Sequence, residues 1–68
     1  MEEFLVICND GKKIVHTANC IEDVYIYYSE SINNEELVFQ DEIAAILPYN
    51  AKIQNIYKND KIERGISL

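Results

Sequence analysis

Three side chains in this sequence are of the types that act as metal ligands or nucleophiles, namely Cys8, His16 and Cys20. A zinc ion needs ligand atoms about 2 Å from one point, and the three residues match neither a CxxC nor an HxxxH spacing. If a hairpin loop at Asp10-Gly11 has two residues, Cys8 and His16 face opposite sides of the sheet. If the loop has three residues, they share a face but lie on the order of 13 Å apart along the strands. The sequence therefore predicts no metal site.

A cysteine paired with His16 is the one arrangement that points to nucleophilic catalysis. Cys20 follows His16 by four residues and lies just beyond the end of a predicted strand, so the two side chains could approach each other. A catalytic triad also needs an orienting acid and an oxyanion pocket, and Glu22 or Asp23 would supply the acid only by coincidence. Because any short chain with two cysteines and one histidine offers such a pairing, we predict a protein that is not an enzyme and has no cofactor.

The chain is short and acidic. Its 68 residues include 12 acidic and six basic ones, with a formal net charge of −6 and 49 % hydrophobic residues, which indicates one globular domain. Direct nucleic-acid binding is excluded as a general function because it depends on clustered Lys and Arg. The two glycines, Gly11 and Gly65, form no phosphate-binding loop.

The start of the sequence, Met1-Glu2-Glu3 followed by a short apolar run, lacks the basic segment of a signal peptide. No stretch reaches the roughly 20 apolar residues of a membrane helix. We therefore expect a cytoplasmic protein without membrane contact, in which the two cysteines stay free thiols. A domain of this size buries only about 60 % of the surface of its unfolded chain, so we also expect a homo-oligomer.

The clearest local signal is Asn9-Asp10-Gly11-Lys12, which lies between two β-prone runs. An Asp-Gly pair supplies the positive φ of tight hairpin turns, so residues 3–8 and 12–18 are predicted to form an antiparallel hairpin. The first run is apolar on both faces, which is typical of a central strand. Val24–Tyr28 is rich in β-branched and aromatic residues and is predicted to be the third strand.

Residues 35–47 fit two structures. As a helix, the stretch places Phe39, Ile43 and Leu47 on one stripe; as strands, it gives residues 37–39 and 43–47 with a polar break between them. Residues 52–57 also fit either period. Strands are favoured for both because sequential strands usually neighbour one another.

These patterns predict a mainly β fold. We expect a small single-domain antiparallel β meander of about five strands, as an open barrel or sandwich-like sheet. The alternative is an α+β fold with a helix near residues 35–47. Residues 1–58 form the predicted domain, and residues 59–68 are a polar C-terminal tail or short edge strand.

Charge is unevenly distributed along the chain. Residues 14–51 contain no basic residue and seven acidic ones, a net charge of −7, whereas residues 52–68 carry four basic and two acidic residues, a net charge of +2. Acidic loops keep small proteins soluble, and a negative face also steers association with a basic partner. Both interpretations remain open at this point.

Tyrosine placement favours an interaction surface. If Val24, Ile26 and Tyr28 of the predicted third strand face the core, Tyr25 and Tyr27 project outwards, and tyrosine is enriched in interface hot spots. The other interpretation is that the two rings pack across the sheet. The predicted partner-binding residues are Glu22, Asp23, Tyr25, Tyr27, Glu30, Glu35 and Glu36.

The first functional hypothesis is therefore a non-catalytic, acidic protein-interaction module. It would act as an inhibitor or modulator, of the kind that phages and mobile elements encode, and would dock on a basic protein such as a nucleic-acid-binding protein or enzyme. The alternative is a homo-oligomeric binder of a small anionic ligand or nucleotide at a subunit seam. Its candidate ligand-binding residues are Lys52, Lys58, Lys61 and Arg64.

Overall fold

The computed structural model describes residues 1–33 and 36–68 of the chain. The described residues form six strands and two helices, so the prediction of a small, mainly β, single-domain fold is confirmed. In chain order the elements are β1 (Glu2–Cys8), β2 (Lys13–Ala18), α1 (Ile21–Tyr27), β3 (Ser29–Asn33), β4 (Glu36–Phe39), β5 (Ile43–Pro48), α2 (Ala51–Ile56) and β6 (Glu63–Ser67).

The predicted hairpin is formed by β1 and β2, joined by a three-residue loop. The Cys8 N–H donates to the Lys12 carbonyl at 2.8 Å, and the Gly11 N–H donates to the Cys8 carbonyl at 2.9 Å. Gly11 has a φ of 92°, the left-handed region that glycine adopts without steric cost. This loop places Phe4 opposite His16, so Cys8 and His16 lie on one face of the sheet, four residues apart along the ladder.

The main sheet has the strand order β5-β1-β2-β6. Strand β1 is central, as its apolar sequence predicts, and Phe4, Leu5 and Val6 are buried. Strand β6 runs parallel to β2, so the sheet is mixed rather than a purely antiparallel meander. The C-terminal segment thereby becomes an edge strand of the sheet.

The strand predicted at Val24–Tyr28 is wrong, because this segment belongs to α1 and its C-cap, Tyr28. Ile21, Val24 and Tyr28 recur at helical spacing, and all three pack with the core residues Phe4 and Val6 on one face of the sheet. Burial of this apolar stripe outweighs the β propensity of the individual residues.

The stretch 35–47 forms strands where it is described, and the alternative helix is not adopted. Strands β3 and β4 make a separate two-stranded antiparallel sheet, the β3–β4 ribbon, and β5 joins the main sheet. The prediction of a strand at residues 52–57 is wrong, because α2 covers Ala51–Ile56. The Asn50 side chain caps this helix by accepting a hydrogen bond from the Ile53 N–H at 3.1 Å.

Candidate functional site

His16 is the only histidine and lies buried between two parts of the chain. Its Nδ1 contacts the Ile66 carbonyl oxygen at 3.0 Å, and its Nε2 contacts the hydroxyl of Tyr28. A carbonyl oxygen only accepts, so Nδ1 carries a proton and donates to it; in the tautomer with its proton on Nδ1, Nε2 accepts from the Tyr28 hydroxyl. Burial, followed by the neighbouring Tyr27, raises the pKa of Tyr28 to about 12, which keeps this hydroxyl a donor. Both ring nitrogens are therefore engaged in structural hydrogen bonds.

Neither cysteine takes part in the hydrogen bonds of the His16 ring. Cys8 is half-buried, and burial followed by the nearby Asp10 carboxylate raises the pKa of its thiol, which disfavours the reactive thiolate. Cys20 is exposed at the N-cap of α1. Within residues 1–33 and 36–68, no group of three or more His, Cys, Asp or Glu side chains could hold a metal ion.

The two tyrosines predicted to form one outward face leave α1 in different directions. Residues two apart on an α-helix differ by about 200° in direction. The Tyr25 ring meets the Phe39 ring of β4 edge-on, with centroids 5.7 Å apart, whereas the Tyr27 ring lies 5.5 Å from the ring of His16. The structure therefore separates the two rings: Tyr25 packs against Phe39 of the β3–β4 ribbon, and Tyr27 lies beside His16.

An open groove lies where Tyr25 and Phe39 meet β5, and we call it the β5 groove. Its volume is about 380 Å³, and its lining consists of Tyr25, Phe39, Ile43, Ala44, Ala45 and Ile46. The side chains of this lining are apolar apart from the Tyr25 hydroxyl, whereas polar atoms contribute about half of the exposed lining surface. Phe39 is 40 % exposed, whereas its neighbour Val38, 39 % exposed, points to the opposite face of β4.

Exposed carboxylates lie on the elements that build the groove. Glu22 precedes Tyr25 by one turn of α1, and Glu30 follows Ser29, which is the residue paired with Phe39. Asp41 and Glu42 come directly before Ile43, the first residue of β5. Asp23 is half-buried on α1, Glu36 is exposed at the start of β4, and Glu35 lies outside the described residues. An apolar groove among carboxylates can hold an apolar anchor that carries neighbouring positive charge.

A second hollow lies at the other end of β5. It has a volume of about 620 Å³ and is lined by Glu2, Glu3, Phe4, Cys20, Ile21, Glu22, Pro48, Tyr49 and Asn50. The Glu3 carboxylate is bound by the Arg64 guanidinium, whereas Glu2 and Glu22 are exposed. The β5 groove and this second hollow thus place acidic residues beyond both ends of one edge strand.

The four basic residues of the alternative ligand site are spread over the C-terminal half. Lys52 is on α2, Lys58 and Lys61 lie between α2 and β6, and all three are exposed. Arg64 of β6 is bound to Glu3, so its guanidinium already has an anionic partner within the chain. The ligand-binding role of these four residues stays a prediction, as does the homo-oligomer.

Sequence reasoning missed most of the groove, because it placed the interaction face on α1 and the ribbon alone. Phe39, the strand Ile43–Ile46 and the acidic pair Asp41-Glu42 were not among the candidate residues. The available signal was a run of five uncharged residues, Ile43–Leu47, between an acidic pair and Pro48.

No helix in the described ranges is long and apolar enough to cross a membrane. The chain matches no protein-family model, and comparison with curated proteins and with solved structures gives no significant match.

Proposed function

We propose that this chain is a non-catalytic protein-interaction module, an inhibitor or modulator that acts in the cytoplasm. It docks on a basic protein surface through the β5 groove and the carboxylates around it. The observation that carries this proposal is the groove at Tyr25 and Phe39, whose side chains are mostly apolar, set among exposed acidic residues from α1, β3 and the turn before β5.

The aromatic pair supports an anchoring role for the groove. Tyr25 is half-buried and its ring packs edge-on against the Phe39 ring, so the pair presents an apolar surface at the groove. Rigid aromatic residues in concave, water-excluding positions contribute most of the binding energy of many protein interfaces.

The charge distribution supports a basic partner. Residues 14–51 contribute seven carboxylates and no positive charge, and this segment builds α1, the ribbon and β5. The ion pairs of the described residues are Lys12 with Glu63, Lys13 with Asp60 and Arg64 with Glu3, and they involve β1, the β1–β2 loop, β2, β6 and the turn before β6. The carboxylates near the groove therefore remain available to Lys and Arg of a partner, and such steering weakens as salt rises.

Affinity capture from the source cells tests this proposal. The tagged chain is used as bait at low and at high salt, beside a variant with Glu30→Gln and Glu42→Gln. The matched control carries Asp60→Asn and Glu63→Gln, which remove two carboxylates from the segment around β6. A Tyr25→Ala variant tests the aromatic anchor, and Tyr27→Ala serves as its control outside the groove.

We expect a partner rich in Lys and Arg that is lost at high salt. It should also be lost with the Glu30/Glu42 variant and with Tyr25→Ala, while the two controls retain it. Retention that is indifferent to salt and to the groove variants, or equal loss in the two control variants, would contradict the proposal.

A further inference from the structure

Strand β5 is the outermost strand on one side of the main sheet and pairs with β1 along one edge. The Tyr49 N–H donates to the Glu3 carbonyl at 2.9 Å, so the backbone groups of Tyr49 face β1. This contact determines which residues of β5 direct their backbone groups towards β1. Because antiparallel pairs alternate, the backbone groups of Leu47 and Ala45 point towards β1 and those of Ile46 point away. The backbone of Pro48 also points away from β1, like that of Ile46. Its lack of an N–H therefore removes no hydrogen bond from the β1–β5 ladder. Ile46 thus presents one donor and one acceptor along the open edge.

The side chains of β5 leave room for another backbone beside this edge. Ala44 and Ala45 are small, and the run Ile43–Leu47 carries no charge. Proteins usually protect an exposed edge with charged side chains, proline or a covering element. In β5 this protection is limited to the ends: Pro48 lacks an outward N–H at one end, and the ladder with β1 has a register shift at Ile7/Cys8 near the other. The uncharged edge between them, at Ile46, is where an added strand would pair.

The β5 groove gives the added strand a place for its side chains. The Tyr25–Phe39 pair stands beside Ile43 and Ile46, both of which pack against the core. Every second side chain of an added strand points to one face of the sheet, so apolar residues at alternate positions would enter this groove. Backbone pairing and groove filling would then act together, as in other strand-addition complexes.

The charges at the ends of β5 determine the chemistry of the occupant. Asp41 and Glu42 precede the strand, and the exposed Glu2 and Glu22 line the hollow at its other end. Six residues of strand span about 20 Å, so an added strand of similar length meets carboxylates at both ends. A second copy of β5 would bring no positive charge to either end, because Ile43–Pro48 is uncharged. Charge complementarity therefore favours a strand with Lys or Arg at both ends over a second copy of this chain.

We propose that the partner docks by adding an extended segment to the open edge of β5. This segment has apolar side chains at alternate positions and basic residues at both ends. The inference rests on the proposed function and specifies how the partner binds.

Nuclear magnetic resonance of the full chain, labelled with ¹⁵N, tests this binding mode. The probe is a capped synthetic peptide with the sequence Lys-Lys-Val-Thr-Val-Thr-Val-Lys-Lys, and the control peptide has Glu in place of every Lys. We expect the lysine peptide to shift the amide signals of residues 44–47 and to protect the Ile46 N–H from exchange with solvent. The glutamate peptide should leave these signals unchanged.

Two protein variants separate strand addition from simple charge attraction. Ala44→Asp increases the negative charge near the groove but puts a charged side chain at the open edge, whereas Ile56→Asp adds the same charge on α2. If strand addition holds, Ala44→Asp weakens binding of the lysine peptide by about tenfold, equivalent to about 1.4 kcal/mol, while Ile56→Asp does not weaken it. N-methylation of the Ile46 amide by chemical synthesis should weaken binding similarly, with no change of charge.

Three results would overturn the inference. The first is a change in amide signals only at the carboxylate-bearing residues, with equal affinity of both aspartate variants for the lysine peptide. It would contradict strand addition but not the proposed function. Broadening of the β5 signals with protein concentration alone, abolished by Ala44→Asp, would assign the edge to a second copy. Equal binding of the lysine and glutamate peptides would show that the added segment need not be basic.

Discussion

The Tyr28 hydroxyl donates a hydrogen bond to Nε2 of His16, and this bond joins the end of α1 to the main sheet. Because the other ring nitrogen of His16 donates to the Ile66 carbonyl of β6, one imidazole links three elements of the fold. Both side chains are buried, so loss of either hydrogen bond leaves a polar atom without water. This contact adds to the packing of Ile21 and Val24, which also hold α1, and with it the Tyr25 wall of the β5 groove, against the sheet.

Removal of the Tyr28 hydroxyl tests this link. Tyr28→Phe keeps the ring but leaves Nε2 of His16 without its donor, and a buried unsatisfied group costs about 1–3 kcal/mol. Urea unfolding followed by circular dichroism should show a loss of this size. Tyr27→Phe is the control, because its side chain is 47 % exposed and its hydroxyl has access to water. Equal stability of the two variants would show that the bond contributes nothing.

The raised pKa of Tyr28 predicts instability at high pH. Its value is about 12 in the folded protein against an ordinary value of 10. Below pH 10 the hydroxyl is protonated in both states. Between pH 10 and 12 the unfolded chain loses this proton while the folded protein keeps it, so the free energy of unfolding falls as pH rises. Chemical unfolding at several pH values should show a smaller fall for Tyr28→Phe than for the parent chain, and parallel curves would refute this cause.

The close approach of β6 to His16 requires a glycine at position 65. A Cβ atom added there would lie 2.3 Å from Cε1 of His16, so Gly65→Ala forces the ring or the strand to move. Overpacking of this kind costs about 1–3 kcal/mol. We expect lower stability and faster hydrogen exchange at the Leu68 N–H, which donates to the Thr17 carbonyl at 2.7 Å.

A double-mutant cycle identifies the cause of the Gly65→Ala effect. In a His16→Ala background the ring is gone, and Gly65→Ala should then cost little. Gly11→Ala provides the comparison, since its Cβ meets nothing within 4 Å and its cost comes from a φ of 92°. His16→Ala should leave the cost of Gly11→Ala unchanged. A Gly65→Ala cost that persists without the ring would contradict the steric explanation.

The N-cap of α2 predicts a loss of stability when Asn50 is replaced. Asn50→Ala removes the side chain that accepts from the Ile53 N–H, and loss of an N-cap costs about 1 kcal/mol. Asn55→Ala, at an exposed position inside α2, should cost less than Asn50→Ala because no helix terminus depends on it. Thermal unfolding of the two variants provides the measurement, and an equal decrease in Tm would show that Asn50 is not a cap.

Local patterns predicted the parts of the fold that depend on local physics. The Asp10-Gly11 signal predicts the β1–β2 hairpin because the turn itself needs a positive φ. The continuous apolar run Phe4–Cys8 likewise predicts a central strand, since both faces of β1 need cover. These features are local enough to be determined by the residues that show them.

Helix α1 shows why other parts of the fold were not predicted from the sequence. Val24–Tyr28 is rich in strand-forming residues, and its helical spacing with Ile21 becomes decisive only when a sheet is present to bury that stripe. The pairing of β6 with β2 is similarly non-local, because it depends on contact of His16 with Gly65 and Ile66. The β5 groove arises from the same kind of contact, since Tyr25 and Phe39 meet only after α1 and the ribbon have formed.

Site-specific photo-crosslinking tests whether the β5 groove receives an extended basic segment of a partner. Benzoylphenylalanine replaces Phe39 in the β5 groove or, as the control, Ile56 on α2, which is 58 % exposed. Both proteins are irradiated in lysate of the source cells, and the crosslinked segment is sequenced by mass spectrometry. We expect a crosslink from position 39, absent from position 56, to a segment with apolar residues at alternate positions and Lys or Arg at both ends. No crosslink from position 39, the same products from both positions, or a linked segment without basic residues would contradict it.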